Sequence, residues 1–83
     1  MNKESFLDTI RQQYTDDLRE AYIECIHGSE SRVDLRDLNK RIQKLMSHAR
    51  VEGLSAMEFE SLARATLPDV ADQIEFQAAR KAA

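Results

Sequence analysis

The four residues Glu52-Gly53-Leu54-Ser55 constrain the fold more than any other stretch, because they join the end of one helix to the start of the next. Gly53 follows a periodic apolar run and suits the left-handed conformation just past a helix end, where glycine has no Cβ penalty. Ser55 and Glu58 have the S-x-x-E spacing of a capping box. We therefore predict a tight corner between two helices, with a positive φ at Gly53.

Two longer helices are predicted before this corner. The first runs from Lys3 or Ser5 to His27, and its apolar residues recur every three or four positions. They are Leu7, Ile10, Tyr14, Leu18, Ala21 and Cys25. The second runs from Asp34, a suitable N-cap, to Val51. Its apolar stripe is formed by Leu35, Leu38, Ile42, Leu45 and Ala49, with Met46 beside it. The short polar loop between the two helices favours an antiparallel hairpin.

One or two shorter helices are predicted after the corner. The first runs from Ser55 to Thr66 and ends where Leu67 precedes a proline, a position that disfavours helical angles. Pro68 suits the first turn of a further helix, which would have only a thin apolar stripe. That stripe consists of Val70, Ile74, Gln77 and Ala78. Phe76 lies off the stripe and is expected to be exposed.

The composition agrees with an all-α fold. The 83 residues include only two glycines and one proline, and residues that favour helices are common. We predict a single helical domain, residues 1–83, in which an antiparallel hairpin is crossed by one or two shorter C-terminal helices. This would be a three- or four-helix bundle.

Targeting and redox features point to the cytoplasm. No apolar run approaches the roughly 18 residues of a membrane span, and residues 1–9 lack the apolar core of a signal peptide. The lone cysteine, Cys25, cannot form an internal disulfide. We therefore expect a reducing, cytoplasmic setting without a membrane partner.

The sequence contains no recognisable catalytic or metal-binding constellation. Cys25 and His27 are two residues apart, so a helix would point them to different faces. His48 and Glu52 would share a face, but two ligands do not complete a metal site. We therefore expect a protein that is not an enzyme and needs no cofactor or metal. Cys25 lies on the apolar stripe, where a small buried core residue is the favoured interpretation.

The corner also resembles the helix-turn-helix segments of DNA-binding proteins. The resemblance covers residues 45–64, where Ala49 is small, Gly53 lies in the turn, and Phe59 and Leu62 are apolar. It implies a helix that reads bases. The residues that would face DNA are Ser55, Ala56, Met57, Ser61 and Arg64.

Several residues oppose this DNA-binding interpretation. Glu52 stands where an apolar residue is usual, and the acidic Glu58 and Glu60 would repel phosphates. A tight corner between packed helices requires a glycine, a cap and apolar contacts whether or not it binds DNA. A helix-turn-helix regulator is therefore kept as the alternative function.

The second helix carries a band of basic residues. The net charge of the chain is −3, but residues 32–52 hold six basic and three acidic groups, a balance of +3. Arg36, Lys40, Lys44 and Arg50 fall within an arc of about 120°, opposite the apolar stripe. A solvated face explains this band. Its functional interpretation is a site for an acidic protein partner or, less favoured, a nucleic-acid backbone.

Some large apolar residues are hard to bury together in a chain of this size. They are Phe6, Leu7, Met57 and Phe76. Two outcomes stay open, namely internal packing and self-association as a homodimer. The favoured function is a small cytosolic helical module for protein–protein interaction, acting as an adaptor, a chaperone-like factor or a regulator.

Overall fold

The computed structural model describes residues 3–28 and 32–76. These residues are mostly helical, as the sequence predicts. The helices are α1, Lys3–Glu24; α2, Leu35–Val51; and α3, Ala56–Thr66. Two short strands, β1 (Ile26–His27) and β2 (Arg32–Val33), join α1 to α2, and a single 3₁₀ turn spans Ala71–Gln73.

Helices α1 and α2 run antiparallel. Tyr14 in the middle of α1 donates its hydroxyl proton to Glu52 at the end of α2, at 2.6 Å. Cys25, just past the end of α1, lies 3.3 Å from a carboxylate oxygen of Asp37 in the first turn of α2. Both predicted apolar stripes face the core. The buried members are Ile10, Tyr14, Leu18, Ala21, Cys25, Leu38, Ile42, Met46 and Ala49, whereas Leu7, Leu35 and Leu45 are half-buried.

The corner between α2 and α3 has the predicted geometry. The N–H of Leu54 donates to the carbonyl of Ala49 at 2.8 Å, and that of Gly53 donates to the carbonyl of Arg50 at 3.1 Å. This is the Schellman pattern, and Gly53 has a φ of 105°. The capping box is also formed, because Ser55 and Glu58 each bond the other's backbone N–H through their side chains. The predicted corner is confirmed.

Helix α1 ends three residues before the predicted His27. The N–H of Cys25 is shared between the carbonyls of Ala21 and Tyr22, at 3.1 Å each, and the chain then becomes extended. Ile26 pairs with Val33 across an antiparallel two-stranded ladder, and the carbonyl of Cys25 accepts from the N–H of Asp34. These bonds satisfy backbone groups near the C-terminal end of α1. A helix that continued to His27 would leave its last carbonyls without partners inside the helix.

Helix α3 runs in the same direction as α1. It begins beside Arg11, which contacts Glu58 at 3.0 Å, and it ends where Leu67 and Tyr22 line a common depression. It therefore extends away from the N-terminal turns of α1. Phe6 is left 52% exposed, and Leu7 is not part of the core cluster.

The predicted fourth helix is absent from the described residues. A turn at residues 68–70 leads into the 3₁₀ turn, and Ile74 then has extended angles (φ −81°, ψ 134°). Val70 is non-helical (φ −121°, ψ 1°), so the helix does not start behind Pro68. Gln77 and Ala78, which were predicted to belong to this helix, lie outside the described residues.

Phe76 is buried, which corrects the prediction that it is exposed. Only 4% of its surface is accessible, and the guanidinium of Arg64 lies over its ring, 5.4 Å from the centroid. Val70 and Ile74 are buried in the same cluster. The irregular segment after Pro68 thus supplies the apolar cover that the sequence pattern assigned to a helix.

Within the described part of the chain, no helix combines the length and the apolar character needed to cross a membrane.

We predict that Gly53→Ala lowers the free energy of unfolding by about 1 kcal/mol, because a Cβ is strained at positive φ. An added Cβ would meet no atom within 4 Å beyond its chain neighbours, so the cost comes from the local backbone conformation and not from the surrounding packing. Urea denaturation measures the change. Gly53→Asn should cost less, since asparagine tolerates this conformation better. Wild-type stability in the alanine variant would contradict the Schellman assignment.

A second prediction compares the two faces of α2. Ile42→Ala should cost about 2–5 kcal/mol, because Ile42 is fully buried and truncation leaves a cavity. Leu45→Ala should cost less, since Leu45 is half-buried. Arg36→Ala on the exposed face should change stability by less than about 0.5 kcal/mol. Thermal and urea unfolding of the three variants provide the comparison, and equal losses would show that the helix phase is wrong.

Candidate functional site

The capping and packing of α2 determine which of its side chains face the solvent. Asp34 caps the helix by accepting from the N–H of Asp37 at 3.1 Å. This bond, more than the neighbouring His27, holds the pKa of Asp34 below its ordinary value. Leu38 and Ile42 lock the opposite face into the core. We call the outward residues the basic surface, namely Arg36, Lys40, Lys44 and Arg50, and all four are exposed.

The bases of the basic surface differ from most other arginines of the described chain in that they form no ion pairs with carboxylates. Across residues 3–28 and 32–76, the structure places none of its four bases in an ion pair. Four arginines elsewhere do pair with carboxylates, namely Arg11, Arg19, Arg41 and Arg64. The positive charge of the basic surface is therefore available to a partner.

A groove of about 680 Å³ separates the basic surface from α1. Its α1 wall is acidic, with Asp17, Glu20 and Glu24, and its α2 wall includes Lys40 and Lys44. The basic surface therefore has an acidic border on this side. An acidic ligand is repelled by the α1 wall and should approach from the opposite side of α2.

On that opposite side, α2 holds the segment that follows the 3₁₀ turn. Asn39 Oδ1 accepts from the N–H of Glu75 at 3.0 Å, and Gln43 Nε2 donates to the carbonyl of Glu75. Together with Arg36 and Lys40, these residues line a depression of about 440 Å³. Sequence reasoning missed Asn39 and Gln43. Their spacing of four residues, beside the basic surface, is the only pattern that marks them.

An ionic cluster fixes the other end of the hairpin. Arg41 bonds Asp37 at 3.1 Å and also contacts Glu24 of α1, so it joins the two helices. The thiol of Cys25 lies against the same Asp37. Burial first, and then this carboxylate, raise the pKa of Cys25 to about 11. Cys25 is therefore a buried core residue, as predicted, and its thiol is held in the protonated form.

Glu52 has a structural partner that explains its place in the corner. It lies where a helix-turn-helix segment usually has an apolar residue, and here it accepts the hydrogen bond from the Tyr14 hydroxyl. The ring of Tyr14 packs edge-on against Phe59 of α3, with centroids 6.1 Å apart. Tyr14 thus contacts both helices of the corner.

The residues proposed to read DNA differ in their exposure and in their contacts with the rest of the chain. Met57 is 79% exposed and Ser61 is exposed, but Ala56 is half-buried against the core. Ser55 is exposed and its side chain caps α3. Arg64 is held by Glu60 at 3.3 Å and by Asp72 at 3.5 Å.

The acidic residue Glu58 is also engaged near the start of α3. It pairs with Arg11 at 3.0 Å, and this contact is the main cause that lowers the pKa of Glu58 below its ordinary value. Glu58 therefore stays ionised and negative at the exposed N-terminal end of the helix that would approach DNA.

The residues proposed for self-association differ in their exposure. Phe6 and Met57 are exposed, Leu7 is half-buried and Phe76 is in the core. Sequence reasoning missed two other exposed apolar residues, Ile23 at 66% and Val51 at 88%. Both lie off the apolar stripes of their helices.

The described residues contain no group of three or more histidine, cysteine, aspartate or glutamate side chains arranged to hold a metal ion.

We predict a pH effect on stability through Tyr14. Burial first, and then the bond to Glu52, raise the pKa of Tyr14 from 10.0 to about 12. Because the folded pKa lies above the unfolded one, the stabilisation is present below pH 10 and is lost as pH rises through about 12. Tyr14→Phe should therefore lose stability less steeply across this window than the wild type, as measured by chemical denaturation.

Tyr22→Phe is the matched control for this experiment. The Tyr22 ring is half-buried, and the structure records no hydrogen bond from its hydroxyl to a described residue. Its substitution measures the effect of removing a tyrosine hydroxyl that makes no such bond. Parallel curves for Tyr14→Phe and wild type would show that folding does not raise the pKa of Tyr14.

Comparison of the chain with protein-family models, curated proteins and solved structures found no match. The functional inference therefore depends on the geometry and chemistry of this chain itself.

Proposed function

We propose that the chain is a small helical protein–protein interaction module, without catalytic activity, that binds an acidic protein partner through the basic surface. The observation that supports this proposal is a difference in ion pairing between the basic surface and the other arginines. Arg11, Arg41 and Arg64 each contact two carboxylates, while the four bases of the basic surface contact none among the described residues.

The charges of the basic surface act mainly on the rate and specificity of binding. An exposed ion pair contributes only about 0.2–1 kcal/mol, so four such pairs do not make a tight complex. They do steer an acidic partner toward α2 and make association sensitive to salt. The remaining affinity must come from contacts beside the charges, and the depression lined by Asn39 and Gln43 is adjacent.

The proposed setting is the cytoplasm, where a single buried thiol stays reduced. An adaptor, a chaperone-like factor and a regulator all fit this mode of binding. A homodimer is a further part of the proposal, and it would use the exposed Phe6 and Met57 and the half-buried Leu7. Phe76 has no part in it, because its ring is covered by Arg64.

A helix-turn-helix DNA-binding regulator is the second candidate, and the geometry of the corner favours it. The Schellman motif and the capping box leave no spare residue between α2 and α3. However, the ion pairs of Arg64 reduce its availability to a phosphate or a base. DNA contacts would have to come from the basic surface on the preceding helix. The protein-binding role is therefore preferred.

We predict that Lys40→Gln with Lys44→Gln weakens binding to acidic peptides by about tenfold or more while leaving the fold intact, because the loss of two charges removes long-range attraction. Acidic ligands would first be selected from a displayed random-peptide library. Their affinity for the variants would then be measured by fluorescence anisotropy at two salt concentrations, with circular dichroism to confirm the fold.

The matched control is Arg19→Gln with Arg32→Gln, which removes the same net charge at exposed positions outside the basic surface. It should bind almost as the wild type does. Equal weakening in both double variants would show that net charge alone matters. Retention of a defined DNA duplex at about 0.15 M salt, lost on changing Ser61 or Met57, would favour the DNA-binding candidate instead.

A further inference from the structure

The segment Ile74–Phe76 lies against α2 and α3 like a bound peptide. Ile74 and Phe76 are buried, and Glu75 between them is exposed. Such alternation is typical of an extended chain with one face on a surface. Asn39 and Gln43 of α2 bond the backbone of Glu75, and Arg64 of α3 covers Phe76. The segment therefore sits in a groove between the two helices.

The groove binds the middle residue through its backbone. Asn39 accepts from the N–H of Glu75, and Gln43 donates to its carbonyl, so both backbone polar groups of this one residue are satisfied by side chains. This resembles strand addition, in which main-chain bonds give affinity and neighbouring pockets give specificity. The amide pair by itself does not select a side chain at the middle position.

Selectivity at the third position comes from an aromatic socket. Phe76 is 4% exposed, and the Arg64 guanidinium lies over its ring. Two ion pairs, to Glu60 and Asp72, hold Arg64 in place. A cation above the ring favours an aromatic side chain over an aliphatic one.

Selectivity at the middle position comes from charge. The depression beside Glu75 is also lined by Arg36 and Lys40 of the basic surface. A negative side chain is favoured there by the surrounding positive potential. Glu75 and Phe76 of the chain's own segment therefore match these two features, and Ile74, which precedes them, is buried as an apolar residue.

Few hydrogen bonds attach the segment to the described helices. Its remaining backbone bonds are local, such as the one from the N–H of Ile74 to the carbonyl of Ala71. Among the described residues, the two side-chain bonds to Glu75 are the only hydrogen bonds that join residues 74–76 to α2 or α3. Its departure would break no helix.

We propose that the groove between α2 and α3 is a binding site for peptide segments of the pattern apolar–acidic–aromatic, which Ile74-Glu75-Phe76 occupies within the same chain. A partner with this pattern displaces the internal segment and binds in its place. The inference rests on the proposed function and specifies its ligand, because the basic surface forms one edge of the groove.

The first test uses the full chain with Phe76→Ser, which empties the socket, and a fluorescent peptide with the sequence of residues 69–76. Competition by the internal segment lowers apparent affinity, so the variant should bind at least about tenfold more tightly than the wild type. A peptide with serine in place of phenylalanine should not bind. Adding Asn39→Ala and Gln43→Ala to the Phe76→Ser chain should abolish the gain.

The second test uses the unaltered sequence, so it decides the matter even where Phe76→Ser does not fold. Phenylalanine is replaced by 4-fluorophenylalanine, and the ¹⁹F resonances are followed as peptide is added in excess. The Phe76 resonance should move to the solvent-exposed position while the Phe59 resonance stays. An unmoved Phe76 resonance at the highest peptide concentration would overturn the proposal.

The outcomes separate this proposal from the proposed function. Acidic ligands that depend on Lys40 and Lys44, but neither displace Phe76 nor need Asn39 and Gln43, would overturn the groove and leave the basic surface standing. A peptide that displaces Phe76 and needs Asn39, but is indifferent to Lys40 and Lys44, would support the groove and overturn the basic surface as the partner site.

Discussion

The hydrogen bond from the N–H of Leu54 to the carbonyl of Ala49 is the interaction on which the rest of the arrangement depends. It closes α2 and reverses the chain within two residues. The side chain of Leu54 enters the core, and α3 starts at once from the cap at Ser55. Because the connection between α2 and α3 is short and its backbone is held by these bonds, the position of α3 beside α2 is fixed, and so is the groove between the two helices.

The charges of the molecule fall into two groups with different roles. The arginines on α1, on the inner flank of α2 and on α3 lie beside carboxylates and tie elements together, as Arg11 and Glu58 tie α1 to α3. The bases on the outer side of α2 form no ion pair with a carboxylate of the described chain and add little to stability. Exposed pairs contribute modestly in either role. The core therefore supports the fold, and the unpaired charges remain for recognition.

Local sequence patterns predicted most of the helical structure, because apolar stripes and helix caps depend on residues that are close together in the sequence. The stripe through Ile10, Tyr14 and Leu18 and the caps at Asp34 and Ser55 are of this kind. The errors all involve distant partners. The extended path after Cys25 depends on pairing with Val33. The burial of Phe76 depends on Arg64 of α3 and on the bonds from α2 to the neighbouring Glu75. The basic surface was visible from its spacing, whereas Asn39 and Gln43 acquire meaning only once Glu75 lies beside them.

The seclusion of Cys25 gives the molecule a built-in reporter of its own motions. Its thiol is fully buried and its pKa is raised to about 11, so an alkylating reagent finds almost no thiolate in the closed state. Alkylation must wait until the junction of α1 with the strand pair opens. The rate of alkylation at high reagent concentration therefore counts these openings directly. A ligand that stabilises the hairpin would lower the rate of Cys25 alkylation, and one that does not affect the hairpin would leave this rate unchanged.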